Sequence, residues 1–157
     1  MIEQRIKELI GHELSSTPPK PLATYIPAQI SGNLVFTSGQ LPFKDGKLIA
    51  EGKVGYDVSE EKGIECARIA AINCLSAIKS IVKDLNNVEQ IVKLTVYVNS
   101  APGFREQPKI ANGASDFLAS VFGDIGKHAR SAVGVNELPM NSPVEVEMIA
   151  RVLSLNF

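Results

Sequence analysis

Apolar positions recur along this chain with two periods, and the changes of period divide it into elements. Ile64, Ala67, Ala71, Cys74, Leu75, Ile78 and Val82 fall three or four apart, the spacing of one helix face. Ser59 precedes them as an N-cap, Glu60 and Glu61 suit the positive end of the helix dipole, and Asn86-Asn87 closes the run. A second stripe, Ile110, Ala114, Phe117, Leu118 and Val121, predicts a helix over about 108–122 with Gly123 as its stop. Ile2, Ile6, Leu9 and Ile10 predict a shorter one within 1–14, ended by Ser15-Ser16-Thr17-Pro18-Pro19-Lys20-Pro21, a stiff extended connector.

Elsewhere the period is two. From Ile91 to Asn99 the chain alternates, with Val92, Leu94, Val96 and Val98 inward and Lys93, Thr95 and Tyr97 outward. Ser131, Val133 and Val135 alternate with Arg130, Ala132 and Gly134, and Val144, Val146, Met148 and Ala150 alternate with Glu145 and Glu147. The segment between these two strands, Asn136 to Ser142, carries a proline and two asparagines, which predicts an antiparallel hairpin. Such a hairpin sets Arg130 opposite about Glu147, with Glu145 a diagonal neighbour roughly 7–8 Å away. Gln29–Ile30 and Leu34–Gln40, joined by Ser31-Gly32-Asn33, predict another hairpin, and Asp45-Gly46 a turn leading into a loop that ends near Tyr56.

The order is β-β-α-β-α-β-β, an α+β fold with two helices packed on one face of a mixed sheet. One domain spans 1–157, with the N-terminal helix and Pro-rich connector occupying 1–21. The free sheet face is expected to collect Lys93, Thr95, Tyr97, Arg130, Ala132, Glu145, Glu147 and Ile149. That mixture is too apolar for a purely wet surface, so the face binds a ligand or a second copy.

Composition narrows the partners. With 45% hydrophobic residues and 157 positions, one genuine core is affordable to the chain. Sixteen basic against seventeen acidic residues give a net charge of −1 and no field for nucleic acid. The first residues, Met1-Ile2-Glu3-Gln4-Arg5, have no apolar signal-like run, and no uncharged apolar stretch reaches membrane length, so a soluble, cytoplasmic protein is expected. Cys66 and Cys74 share one predicted helix about 12 Å apart, too far for a disulfide. Cys74 lies on the apolar stripe; Cys66 lies off it and is expected to be the more accessible.

Most site chemistries lack their residues. His12 and His128 are the only histidines and neither sits in a metal-ligating cluster, no G-x-S-x-G is present, and the glycines form no phosphate loop. What remains is Arg130 with its carboxylates. A guanidinium fork binds both oxygens of a planar acid, and a neighbouring carboxylate orients a water or carries a proton. The plainer reading of the same residues is an exposed cross-strand ion pair of little energetic weight.

Beyond residue 17 the chain resembles the YjgF/RidA family, the reactive intermediate deaminases also labelled endoribonuclease L-PSP. The resemblance rests on Gly32-Asn33-Leu34-Val35-Phe36-Thr37-Ser38-Gly39-Gln40-Leu41-Pro42, the Tyr25 segment, Val96-Tyr97-Val98, Ala129-Arg130-Ser131-Ala132-Val133 with Leu138-Pro139, and Val144-Glu145-Val146-Glu147. It implies a chorismate mutase-like fold and a homotrimer with ligand clefts between subunits. It also implies that Arg130 clamps a substrate carboxylate, that Glu145 attends the attacking water, and that Tyr25 stands in the cleft. Ser38, Gly39, Asn112 and Ala132 match substrate-binding positions. The implied reaction is hydrolysis of 2-imino acids, formed from enamines such as 2-aminoacrylate, to 2-keto acids and ammonia, with no cofactor or metal. A non-catalytic trimeric binder of small carboxylates or 2-keto acids is the alternative, and ribonuclease activity is carried by the label alone. The chain departs from the best-known members at Ala132, where they have cysteine, at Gly134, where they have glutamate, and at Pro27, where many have glutamine.

Overall fold

A computed structural model describes residues 1–154. The chain runs α1 (Ile2–Ile10), β1 (Ala28–Ser31), β2 (Leu34–Thr37), β3 (Phe43–Lys44), β4 (Lys47–Leu48), α2 (Glu60–Val82), β5 (Val88–Asn99), α3 (Gln107–Phe122), β6 (Ala129–Val135) and β7 (Val144–Val152). The main sheet has the order β1-β2-β7-β5-β6, and β3 and β4 form a separate small hairpin at the Asp45-Gly46 turn. The fold is therefore α+β, with α2 and α3 on one sheet face. No helix among the described residues is long and apolar enough to cross a membrane.

The helices start and stop where local chemistry directs. The Ser59 side chain accepts from the Lys62 N–H as predicted. The helix ends earlier than the asparagines, at Val82, and Asn86 and Asn87 fall in a following 3₁₀ turn. Gly123, at φ 63°, stops α3, and Gly11, at φ 84°, caps α1. α1 is fastened to the body through Lys79, whose ammonium meets Glu3 at 2.6 Å and the Leu14 carbonyl at 3.0 Å.

α2 is buried on more than the stripe its periodicity displays. It faces the sheet with Cys74, whose thiol donates to the Val146 carbonyl at 3.3 Å, and α3 covers a second flank. Gly113 of α3 lies so close to the Ile64 carbonyl that a side-chain carbon there has no room. Cys66 is fully buried rather than accessible: it lies two turns before Asn73 on the side of α2 where Asn73 donates to the Leu41 and Phe43 carbonyls, a side that periodicity read as a single stripe leaves out. Burial pushes both thiols, Cys66 and Cys74, up to about 12, so they behave as packing groups.

Three expectations about the sheet are corrected. β6 and β7 do not form a hairpin: β6 pairs parallel with β5, which in turn lies between β6 and β7. The β5-α3-β6 crossover accounts for this, since a helix between two strands lets them run parallel. Second, in-register partners share a face, and Arg130 aligns with Leu94, Ala132 with Val96 and Gly134 with Val98, all core-facing residues of β5. Arg130 and Ala132 thus lie on the helix-covered side, while Ser131 and Val133 join Thr95 and Tyr97 on the open face. Third, the β5–β7 register shifts between Ile91 and Lys93, so that Ile91 rather than Val92 is the fully buried residue.

Candidate functional site

The residues singled out by sequence separate into two groups. Tyr25, Gly39 and Glu145 line one cavity of about 250 Å³, closed by Pro19, Lys20 and Pro139. Arg130 and Asn112 meet elsewhere, where the edge strand β6 passes α3.

Glu145 owes its position to two strands. Its Cα aligns with Tyr97 of β5, and next to it Val146 exchanges both backbone hydrogen bonds with Gln40, at 2.7 and 2.9 Å. That pairing brings Gly39 against the Glu145 carboxyl: a Cβ built on Gly39 would stand 2.6 Å from Cδ and 2.7 Å from Oε2. Only glycine leaves room for the carboxyl group. Partial burial, reinforced by the Glu147 carboxylate two residues along the same face, raises the Glu145 pKa above the ordinary carboxylate value.

Glu147 is occupied on its own account. The Tyr97 hydroxyl donates to its Oε1 at 2.7 Å, and this bond, with burial, pushes the phenol up to about 12. Ser38 does not line the cavity; its backbone N–H donates to the Pro27 carbonyl at 2.8 Å and its hydroxyl to the Ile26 carbonyl. It thereby anchors the segment that presents Tyr25, a residue 46% exposed.

Arg130 is held from three points of α3. Its Nη1 donates to Asn112 Oδ1 at 2.8 Å and to Ser115 Oγ at 3.1 Å, and its Nη2 to the Pro108 carbonyl at 3.3 Å. Behind it, His128 Nδ1 faces the Gly126 carbonyl at 2.6 Å, which makes Nδ1 the donor and leaves Nε2 to accept from the Ser115 hydroxyl at 2.9 Å. The Nε donor and the second N–H of Nη2 have no partner among the described residues, so an oriented cation with free donors remains for a carboxylate. Ser115 and Pro108 escaped notice in the sequence, although 108, 112 and 115 carry the four-then-three spacing of one helix face. Ala132, two residues along β6, is partly buried beside Val96. Gly134 admits Gln107 and Ser100, whose polar atoms would lie 2.8 and 2.9 Å from a Cβ at that position.

Chemically, one group supplies a fixed cation and the other a carboxyl group that accepts a proton more readily than a solvated one. The two lie on opposite faces of the sheet, on strands separated by β5.

Comparison with known proteins places this geometry in a family. The model described as "YjgF/chorismate mutase-like, putative endoribonuclease" matches residues 8–152. Protein TCP17 of Trypanosoma cruzi is 42% identical over 130 residues, covering 82% of this chain and 81% of that protein. A 2-iminobutanoate/2-iminopropanoate deaminase of Dermatophagoides farinae is 30% identical over 138 residues, covering 85% and 91%. The crystal structure of the protein Atu1372 from Agrobacterium tumefaciens superposes with a TM-score of 0.89 at 41% identity, covering 97% of this chain and 92% of that one. With a family match across nearly its whole length and relatives of this similarity, the chain belongs to the YjgF/chorismate mutase-like family.

Proposed function

We propose that this chain is a hydrolytic deaminase of reactive 2-imino acids, formed from enamines of the 2-aminoacrylate type, and that it works as a homotrimer. The observation that carries the reading is Arg130: three bonds from α3 orient its guanidinium while N–H donors stay free for a substrate carboxylate. The deaminase relative supports the choice of substrate.

In this reaction the carboxylate of the iminium acid rests on Arg130, which leaves C2 as the electrophile. Glu145 takes a proton from a water as the water oxygen bonds to C2 and the C=N π pair moves to nitrogen. The protonated Glu145 then gives that proton to the amino group. The C–N bond breaks to release ammonia, and the former water oxygen becomes the keto oxygen as its remaining proton leaves to solvent. One water is consumed and no redox change occurs. A raised Glu145 pKa suits a group that must hold the proton between the two steps.

Because Arg130 and Glu145 occupy opposite sheet faces in one chain, the cleft forms where the Arg130 edge of one copy meets the Glu145 cavity of another. Phe36, Ile149 and Val133 on the open face supply apolar contact area for that association. The test generates 2-aminoacrylate enzymatically and follows pyruvate release. Acceleration proportional to added protein is expected; none at any concentration overturns the assignment.

A further inference from the structure

A cavity larger than the one holding Glu145 lies elsewhere. About 550 Å³ in volume, it is enclosed by the end of α1, the Pro-rich connector, the β3–β4 hairpin and the outer side of α2. That volume falls within the range of small-molecule sites. Its apolar lining includes Leu14 from the connector and Ile69 and Ile72 from α2.

The charge around this cavity is one-sided. Lys20, Lys44 and Arg68 line it, against Asp45 as its single carboxylate. Arg68 is committed, its guanidinium donating to the Leu9 carbonyl at 2.9 Å and standing 5.2 Å from the Phe117 ring. Lys20 and Lys44 have no ion-pair partner among the described residues. Lys44 moreover aligns in register with Lys47 across the hairpin, and like charges directly opposite each other repel. An anion near Lys44 relieves that repulsion.

We propose that this cavity is a second ligand site, for an amphipathic organic anion. Its apolar body packs on Ile69 and Ile72, and its carboxylate or sulfonate meets Lys20 and Lys44. An apolar pocket with cations at its edge disfavours a neutral polar solute, whose groups lose water there without gaining partners. Pro19, Lys20, Leu22 and Phe43 line both this cavity and that of Glu145, so a bound anion presses on a wall common to the two. The site stands independently of the deaminase reading, because none of its defining residues takes part in that reaction.

The test is a fluorescence titration of the full chain with 8-anilinonaphthalene-1-sulfonate, beside the uncharged N-phenyl-1-naphthylamine, which shares the apolar body. The chain has no tryptophan to interfere. Saturable binding of about one sulfonate per chain is expected. Lys44→Glu, an exposed substitution that also removes the lysine repulsion, should weaken the sulfonate about tenfold and change the neutral probe by less than about twofold. Ile72→Tyr, which fills the cavity, should weaken both, and Glu145→Gln neither. Absence of saturable binding, or a sulfonate affinity unmoved by Lys44→Glu, overturns the proposal.

Discussion

Arg130 and Glu145 face away from each other: Arg130 aligns with core-facing Leu94 at the sheet edge, whereas Glu145 aligns with Tyr97 on the open face. A reaction that needs both side chains therefore draws them from two chains. Arg130→Ala and Glu145→Gln should each abolish acceleration of pyruvate release while leaving the far-UV circular dichroism unchanged. Mixing the two variants under conditions that exchange subunits should restore activity, since about a quarter of randomly assorted clefts regain both native residues. Mixtures that stay inactive despite proven exchange would place the cleft within one chain.

Gly39 is sterically tied to the Glu145 carboxyl, 2.6 Å from where a Cβ would stand. Gly39→Ala should displace the carboxyl group, destabilise the fold by about 1–3 kcal/mol and reduce turnover more than substrate affinity. Urea unfolding together with kcat and KM measures both effects.

Glu145 provides a pH signature. Its folded pKa lies above the ordinary carboxylate value, so the native state binds the proton more tightly than the unfolded chain does. The associated stability is fully present below the unfolded value and is lost as pH rises through the folded one. Glu145→Gln should thus stabilise the protein at neutral pH and lose that advantage in acid, which thermal unfolding across pH 3–8 will reveal. If Glu145 must be ionised to act, the acid limb of the rate profile should have its midpoint above 4.5.

Tyr97 keeps its proton because its hydroxyl donates a hydrogen bond to the Glu147 carboxylate, and its phenol is pushed up to about 12. Ultraviolet titration should show one phenolate forming near that value, and Glu147→Gln should bring it down. The same raised pKa makes the pair's contribution to stability fade as pH climbs from about 10.

The helices were legible because capping and periodicity are local. Ser59 and the Ile110–Val121 stripe define α2 and α3 without knowledge of anything else in the fold. Strand neighbours were not legible, because alternation tells which residues share a face of one strand but not which strand lies beside it. The parallel β5–β6 pairing depends on where α3 packs, and it transferred Arg130 to the helix-covered face. The burial of Cys66 is hidden for a related reason: the segment at Leu41 and Phe43 covers its side of α2, and a single apolar stripe does not report that side. Within the site, the Gly39–Glu145 contact stayed hidden because it joins residues far apart in sequence, whereas Ser115 was within reach of a helical-wheel argument from Asn112.

The register shift at Val92 is one extra residue on β5, which takes two steps where β7 takes one. Deleting Val92 would join core-facing Ile91 directly to open-face Lys93 and leave Leu94, Val96 and Val98 on the helix side. Deleting a residue of the regular run beyond it, such as Thr95, would give the rest of the strand the opposite parity. β5 can thus lose a residue at its bulge without changing faces, but along its regular run length is constrained as tightly as composition, because a gap there would invert every side chain that follows it.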